Sequence, residues 1–257
     1  MECMRRTRML TGLAAMVSMA LLAAPDAGAQ EQAAPSAGWG FVFAPYAWGA
    51  GITGTVGVAD RTADVNRSVG DVIDQVDVSV MFSTEVRYHA LGFILDGFYI
   101  KLTDDAAVPE APLTSARVEE EQGMAQLAVS YTILPQAQGG LDLLGGLRYW
   151  HTRSTLDLFA GDSSVVNPHD VQQWVDGLLG ARYRGRLGAR WPVRILGDVG
   201  TGGSSFTWEA VGTLGFEFAP CCAVNGGYRY LHYDYERGDN SENLGMGGPV
   251  VGLTFRF

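Results

Sequence analysis

The chain has 257 residues, with 18 basic and 28 acidic side chains, a net charge of -10 at pH 7, and 34 glycines. A polyanion is a poor partner for nucleic acid, because such binding depends on basic side chains that displace counterions from phosphates. After the first 29 residues no apolar run reaches the roughly 18 to 20 residues of a membrane helix, and only Cys221 and Cys222 remain, which excludes a disulfide framework.

The first residues have the composition of an export signal. Arg5, Arg6 and Arg8 precede the apolar run "MLTGLAAMVSMALLAA", and small residues lie just before Gln30. This order predicts a secretory signal peptide over residues 1–29, and a single membrane anchor is the alternative. Residues 30–38 are predicted to be an N-terminal linker.

Residues 39–257 consist of segments of about ten residues in which apolar and polar side chains alternate. In "VSVMFSTEVRYH", Val80, Phe82 and Val86 share one face, whereas Glu85 and Arg87 share the other. This pattern predicts a transmembrane β-barrel, and a soluble β-sandwich is the alternative. Aromatic residues at segment ends are interpreted as interfacial girdles: Trp39, Tyr46, Trp48, Tyr88, Tyr99, Tyr131, Tyr149, Trp150, Tyr183, Trp208, Phe218, Tyr228 and Tyr230.

The predicted fold is all-β, a transmembrane antiparallel up-and-down barrel of about ten strands, with eight or twelve as alternatives. The strands are predicted near residues 39–50, 78–89, 91–103, 116–134, 140–158, 170–187, 191–202, 205–218, 223–236 and 246–257. Short connections such as "HALG" and "APCCA" alternate with longer polar ones such as "ERGDNSENLG". In the first long connection, "TGTVGVADRTADVNRSV" could be a further hairpin and "VGDVIDQV" a short helix.

One segment, "GYRYLHYDYE", does not fit a polar lumen. The parity that turns Arg229 inward also turns Leu231 and Tyr233 inward, and it sends His232 and Asp234 outward. A β-bulge near Tyr230, or emergence of the strand above the bilayer, would reconcile the segment with the rest.

Charged side chains on the inward parity form the candidate site. They are Glu85, Arg87, Asp96, Arg148, Asp176, Arg182, Arg184, Arg194, Asp198, Glu209, Glu217, Arg229 and Arg256, with Gln126 and Asp142 beside them. Buried charges require partners. We therefore interpret them as a salt-bridge network that fills the lumen, in which Asp176 is one partner of the arginines. A conduit for small solutes is the alternative.

Catalytic interpretations have weaker support in the sequence. An omptin-like protease would use an Asp–His pair at the outer rim, for which His232 with Asp234 is the candidate, with Asp104 and Asp105 in another loop. A lipid A deacylase would use a histidine and a serine on the lipid-facing surface, and His151 with Ser154 is the nearest pair. Neither spacing reproduces those families' motifs, so the prediction is no enzyme, no catalytic residue, no metal and no cofactor.

The stretches "FAPYAWGAGITGTVGV", "LDLLGGLRYW", "WVDGLLGARYRGRL" and "GPVVGLTFRF" resemble the small outer-membrane β-barrel proteins of Gram-negative bacteria. The resemblance implies a porin-like or structural envelope protein in contact with outer-membrane lipid. A surface-loop adhesin is a further alternative, and we expect a monomer. The pattern Gly252, Phe255, Phe257 resembles the C-terminal signal that the barrel assembly machinery recognises. The adjacent cysteines are interpreted as an incidental pair, and a strained vicinal disulfide is the alternative.

Overall fold

The computed structural model describes residues 38–58, 61–107, 115–136, 139–160, 163–166, 169–238 and 240–257. The predicted signal peptide and residues 30–37 of the predicted linker lie outside these residues. In the described part of the chain, no helix has the length and apolar character needed to cross a membrane.

Almost every described residue belongs to a strand, and one helix, α1 (Val69–Gln75), interrupts the series. The strands are β1 (Trp39–Trp48), β2 (Gly51–Val58), β3 (Arg61–Arg67), β4 (Val76–Tyr88), β5 (Leu91–Ala107), β6 (Ser115–Gln136), β7 (Gly139–Ala160), β8 (Ser163–Val166), β9 (His169–Arg186), β10 (Pro192–Gly202), β11 (Phe206–Ala219), β12 (Cys222–Arg237) and β13 (Asn240–Arg256).

Ten of these strands form a closed antiparallel barrel in the order β1, β4, β5, β6, β7, β9, β10, β11, β12, β13. β13 pairs with β1 from Val42↔Arg256 to Trp48↔Val250. In the half of the barrel nearest Trp39 and Phe257, closure gives each of the ten strands a neighbour on both sides, as a barrel in lipid requires. The predicted ten-stranded all-β barrel is therefore confirmed.

The two ends of the barrel differ. The turn end carries Trp39, Phe257 and short connections such as residues 89–90 and 220–221. At the opposite loop end, several strands run further than the sequence predicted. β13 begins at Asn240, within a predicted loop, because backbone pairing with β12 continues to the register Arg237↔Asn240. Polar residues pair there without the apolar alternation on which the sequence-based boundaries depended.

The predicted extra hairpin and helix are both present, but they do not add strands to the barrel. β2 and β3 form a hairpin that continues the sheet alongside the loop-end half of β13. The ladder between β1 and β4 ends at Pro45↔Phe82, where proline has no N–H to donate. Above that point α1 contacts β2, β3 and β5. Ser68 caps α1, and its side chain and that of Asp71 bond each other's backbone N–H groups.

The wall has an apolar outer face. Leu127, Leu147 and Leu179 point outward and are 58, 56 and 71% exposed. Similar exposure of Val, Ile, Leu and Phe side chains continues around the barrel, on β1, β5, β10 and β13 among others. Such a continuous apolar surface is stable only against lipid, which favours the barrel interpretation over the soluble sandwich.

Candidate functional site

Two layers of side chains fill the lumen. The charged layer comprises Glu85, Asp96, Gln126, Asp142, Arg148, Asp176, Arg182, Asp198, Glu209 and Arg229. All are buried except Asp96, which is partly buried. The aromatic layer comprises Trp48, Met81, Phe98, Met124, Trp150, Trp174, Leu231, Tyr233, Tyr235 and Met246. Side chains of one strand face the same side every second residue. On β7, Arg148 belongs to the charged layer, and Trp150, two residues closer to the loop end, belongs to the aromatic layer. The aromatic layer therefore lies directly on the loop-end side of the charged layer.

Arg148, on β7, is one centre of the charged layer. Its Nη2 lies 2.9 Å from Asp198 Oδ1 and 2.6 Å from Glu209 Oε2. It donates from Nε (3.0 Å) and Nη2 (2.6 Å) to Gln126 Oε1, and from Nη1 to Thr207 Oγ1 (3.2 Å). The side chain is 0% exposed, so its charge is stabilised by these partners rather than by bulk water.

Arg182, on β9, is the second centre. Its Nη1 and Nη2 each lie 2.8 Å from an oxygen of Glu85, the forked geometry that binds a carboxylate most strongly. Nε and Nη2 donate to Asp142 Oδ2 at 3.0 and 2.8 Å. Arg184 and Arg87 donate to the same Asp142 carboxylate. Three arginines therefore share this single buried acid.

Arg229, on β12, joins the two layers. Its Nη2 lies 3.0 Å from Asp96 Oδ1, its Nε lies 2.8 Å from Glu209 Oε1, and Nη1 donates to the Tyr46 hydroxyl at 2.6 Å. On the other side, its guanidinium carbon is 5.0 Å from the centre of the Trp48 ring, within the range of a cation–π contact. One arginine thus has carboxylates below it and an indole above it.

Asp176 departs from the expected pairing with arginine. Its Oδ2 accepts a hydrogen bond from Trp174 Nε1 at 3.2 Å, and its Oδ1 accepts one from the Ser204 backbone N–H at 2.7 Å. It lies opposite Arg148 in the strand register, but Arg148 points to the carboxylates of β10 and β11. The expectation that Asp176 is an ion-pair partner of the arginines is therefore wrong in this structure.

The charged side chains nearest the turn end are less buried. Glu217 is held between Arg186 and Arg256, with closest N–O distances of 2.5 Å to each. Arg194 is 38% exposed, and its Nη2 is 4.0 Å from Glu85 Oε2.

The aromatic layer closes the lumen above the charged layer. The Trp150 and Trp174 rings stack with their centres 5.7 Å apart, and Trp174 stacks on Tyr235 at 4.2 Å. Tyr233 contacts both tryptophans, and Phe98 meets Trp150 edge-on at 6.3 Å. Trp150 is 0% exposed, so the rings leave no solvent path to it.

This layer corrects two sequence-based interpretations. Tyr46, Trp48 and Trp150 are among the predicted girdle residues, but all three lie inside the barrel, where the Tyr46 hydroxyl accepts a hydrogen bond from Arg229. No bulge occurs near Tyr230, where the pairing of β12 with both β11 and β13 runs without a register shift. Leu231 and Tyr233 follow the parity and belong to the aromatic layer.

The histidines considered for catalysis make local contacts. His151 is bonded through Nδ1 to the Gln173 side chain at 3.2 Å, and Ser154 lies exposed three residues further along β7. His232 bonds Asn243 at 3.2 Å. Among the described residues, no group of three or more His, Cys, Asp or Glu side chains could hold a metal ion.

The acidic residues of the protease hypothesis are engaged elsewhere or are not described. Asp104 Oδ2 accepts hydrogen bonds from Gln75 at 3.0 Å and Arg67 at 3.5 Å, which tie α1 to β3 and β5. The side chain of Asp105 lies outside the described part of the chain. Asp234 points outward on β12, as its parity predicted.

Cys221 lies in the turn before β12, and Cys222 is the first residue of that strand. Both thiols are free, and their sulfur atoms are 2.7 Å apart.

The residues of the C-terminal pattern lie at the seam that closes the barrel. Phe257 N–H donates to Phe41 O at 2.9 Å, and the Phe257 side chain is 79% exposed on the outer face. Phe255 is opposite Phe43 in the register of β1. A side chain at Gly252 would meet the Pro45 carbonyl oxygen at 2.8 Å, so the close approach of the two strands there requires glycine.

Comparison with known proteins finds solved structures of low sequence identity. No protein-family model matches the chain, and no curated protein sequence matches it significantly. A structure of Ail, the attachment invasion locus protein of Yersinia pestis, is 12% identical over 86% of this chain and 99% of its own, with a TM-score of 0.37. The outer membrane protease OmpT from Escherichia coli is 9% identical over 88% and 99%, with a TM-score of 0.46. The transport unit of the autotransporter AIDA-I from Escherichia coli is 12% identical over 95% and 97%, with a TM-score of 0.38.

The geometry of the barrel itself gives its location. Outer-membrane barrels have an even number of closed antiparallel strands, an apolar outer face, and a first strand that begins and a last strand that ends at the turn end. This barrel has all of these features. The protein is a Gram-negative outer-membrane β-barrel. In that membrane the turn end faces the periplasm and the loop end faces the exterior.

Proposed function

We propose that this protein is a structural, non-conducting barrel of the outer membrane, whose lumen is filled by its own side chains. The observation that carries the proposal is the stacking of the aromatic layer on the charged layer. Arg148, Arg182 and Arg229 extend into the lumen and are bound by carboxylates. A small barrel has an interior just wide enough for such side chains.

The small-solute channel is the alternative function. A conducting pore needs a continuous wet path, and the polar wall of the charged layer could provide one only if its ion pairs opened. The aromatic layer would also have to open, because Trp150 and Tyr233 are 0 and 1% exposed. Desolvating an ion between these rings is expensive.

Conductance in a planar lipid bilayer distinguishes the two functions. A folded barrel changes its mobility on a gel when it is heated, and we call this form heat-shifting. We expect the purified, heat-shifting protein to give no steady current in molar salt. Trp208→Phe, a change on the outer face of β11, serves as a control for the preparation of a variant protein, and it should give the same result as the wild type. A reproducible ion-selective conductance in the wild type would replace the structural proposal with the channel.

The proposal includes the absence of a catalytic role. It is supported by the hydrogen bonds of His151 to Gln173 and of His232 to Asn243, which occupy one nitrogen of each ring. The test is incubation of the protein, in lipopolysaccharide, with peptide and acylated-lipid substrates. Turnover that His151→Ala or His232→Ala abolishes would contradict it.

We further propose that the assembly machinery recognises the last strand through Gly252, Phe255 and Phe257. The support is that β13 is the strand whose pairing with β1 closes the barrel. Phe257→Asp should sharply reduce the heat-shifting protein in outer-membrane fractions. Phe218→Asp is the matched control, since Phe218 is also exposed near the turn end. An equal loss for both variants would indicate a membrane-insertion penalty without specific recognition.

A further inference from the structure

The turn end of the lumen carries more positive than negative charge. Within the described residues, the side chains there are six arginines, Arg87, Arg182, Arg184, Arg186, Arg194 and Arg256, and three carboxylates, Glu85, Asp142 and Glu217. Further inside, the balance reverses, with Arg148 and Arg229 among four carboxylates. An anion that enters from the periplasm is therefore attracted to the mouth and repelled from the interior.

The pair Arg184 and Arg194 is the point where this excess is concentrated. The two residues are directly opposite each other on β9 and β10. Like charges in directly opposite positions destabilise a sheet. Arg184 is bound to Asp142 by two hydrogen bonds of 2.8 and 2.9 Å. Asp142 is also bound by Arg182, so it cannot neutralise the pair.

Arg194 has unused binding capacity. Its nearest carboxylate oxygen, on Glu85, is 4.0 Å away, and that carboxylate is already held by the fork of Arg182. Among the described residues, no side-chain hydrogen bond is formed by the Arg194 guanidinium. A guanidinium presents five N–H donors in a planar fork, and the side chain is 38% accessible to water.

We propose that Arg184 and Arg194 bind the phosphate group of a water-soluble anion from the periplasm. A phosphate oxygen pair matches the fork of Arg194, and a dianion offsets the excess charge better than a carboxylate. Arg184 supplies the second cation from the opposite strand. The continuous ladders of β9 with β10 and β10 with β11 form the wall around the site, so a lipid headgroup in the surrounding leaflet does not reach it.

Isothermal titration of inorganic phosphate tests the proposal. The wild-type protein, in a non-ionic detergent free of phospholipid and at constant ionic strength, should bind phosphate saturably. Acetate, added as its sodium salt at the same ionic strength, is the carboxylate used for comparison, and it should bind at least tenfold more weakly than phosphate. Bound phosphate should also raise the temperature of the heat shift, because a ligand that binds only the folded state stabilises it.

The variants separate the site from general charge effects. Arg194→Gln should weaken phosphate binding about tenfold, the loss expected for charge-assisted hydrogen bonds. Arg190→Gln removes the same charge from an exposed turn at the same end, and it should leave the affinity within about twofold of wild type. If Arg194→Gln does not fold to a heat-shifting form, Arg184→Gln takes its place.

Three results would overturn the site. They are the absence of saturable phosphate binding by the wild type, acetate binding as tight as phosphate binding, and equal affinities for Arg194→Gln and Arg190→Gln. The wild-type measurements do not depend on any variant. None of these outcomes bears on conductance, so the anion site and the structural proposal can fail separately.

Discussion

On several strands of the wall, moving two residues toward the loop end replaces a charged or polar inward side chain with an apolar one. Arg148 is followed by Trp150 on β7, and Asp96 is followed by Phe98 on β5. The charged layer is stabilised by directional ion pairs and hydrogen bonds between particular atoms. The aromatic layer is stabilised by the buried contact area of its rings and by how closely they pack. The two layers should therefore respond differently to loss of a side chain.

The layers also affect each other. Rings that exclude water above the charged layer lower the local dielectric constant, which strengthens each ion pair below. The same exclusion raises the cost of any charge left without a partner. A deletion in the charged layer should therefore have the largest effect, and a deletion in the aromatic layer should leave a cavity but no stranded charge.

Arg148→Ala combined with Arg182→Ala should give the largest effect. Arg148→Ala leaves Asp198 without an arginine partner, and Arg182→Ala removes the forked partner of Glu85, which keeps its contact with Arg87. Breaking a buried ion pair in this way costs about 3–5 kcal/mol. The carboxylate partners of the two arginines are different residues, so the losses should nearly add. We expect the free energy of unfolding in denaturant to fall by about 6–10 kcal/mol, together with a measurable leak in a planar bilayer.

Arg190→Ala is the matched control for the double variant. It removes an arginine that is exposed in the turn before β10, and it should change the unfolding free energy by less than about 0.5 kcal/mol. If the double variant is as stable as this control and gives no current in the planar bilayer, the charged layer does not hold the lumen closed.

Trp150→Ala should give the next largest effect. Its ring contacts Phe98, Trp174 and Tyr233, and removing a large buried aromatic side chain costs about 3–5 kcal/mol. The bilayer current should stay near the wild-type level, because the ion pairs below the cavity retain all their partners. Unfolding in denaturant and conductance measure the two responses.

Trp208→Ala provides the control for Trp150→Ala. Trp208 stacks on Tyr230 on the outer face, with ring centres 4.9 Å apart, and its loss should cost only about 1 kcal/mol. A current in Trp150→Ala as large as that in the arginine double variant would show that the aromatic layer is the main barrier.

The parity of the strands predicted the inward face of both layers. It placed Arg148 and Arg182 in the lumen, and it also turned Leu231 and Tyr233 inward. Trp150 was assigned to the girdle because tryptophan favours membrane interfaces. However, Tyr149 precedes it directly, and neighbouring residues of a strand face opposite sides, so parity was the better guide.

The partners of the inward charges could not be predicted from the sequence. Which carboxylate meets which arginine depends on the stagger of all ten strands around the closed barrel, and a single segment does not contain this information. Asp176 illustrates the point, since its two oxygens meet Trp174 Nε1 and the backbone of Ser204. Strand ends at the loop end were missed for a related reason, because pairing continues there through polar residues such as Asn240 and Glu242.

Arg229→Lys tests the boundary between the layers. Lysine keeps the charge but loses the planar fork that reaches Asp96 and Glu209 and packs against Trp48. We expect a loss of about 1–2 kcal/mol in unfolding free energy. Arg237→Lys, at the exposed end of β12, should have no measurable effect. Equal stability of the two variants would mean that the contacts of Arg229 do not couple the layers.

The smallest expected effect concerns the helix beside the aromatic layer. The ladder between β1 and β4 ends at Pro45, and beyond that point α1, whose Val72 is buried, contacts β2, β3 and β5. Ser68→Ala removes the N-cap of α1, which costs about 1 kcal/mol. Hydrogen exchange of the α1 amides should then be about fivefold faster, while exchange in the β7 and β9 ladders should not change.

Acidification should have the same local effect in the wild type. The hydrogen bonds that Asp71 accepts from the Ser68 hydroxyl and backbone N–H lower the pKa of this carboxyl. Its contribution to helix stability is therefore complete above the ordinary aspartate pKa and is lost as the pH falls toward the lowered value. After correction for intrinsic exchange rates, α1 protection should fall over that interval in the wild type but not in Asp71→Asn. Thr62→Ala, an exposed change on β3, should retain the wild-type profile. A pH-independent α1 in the wild type would mean that the stability of the helix does not depend on this cap.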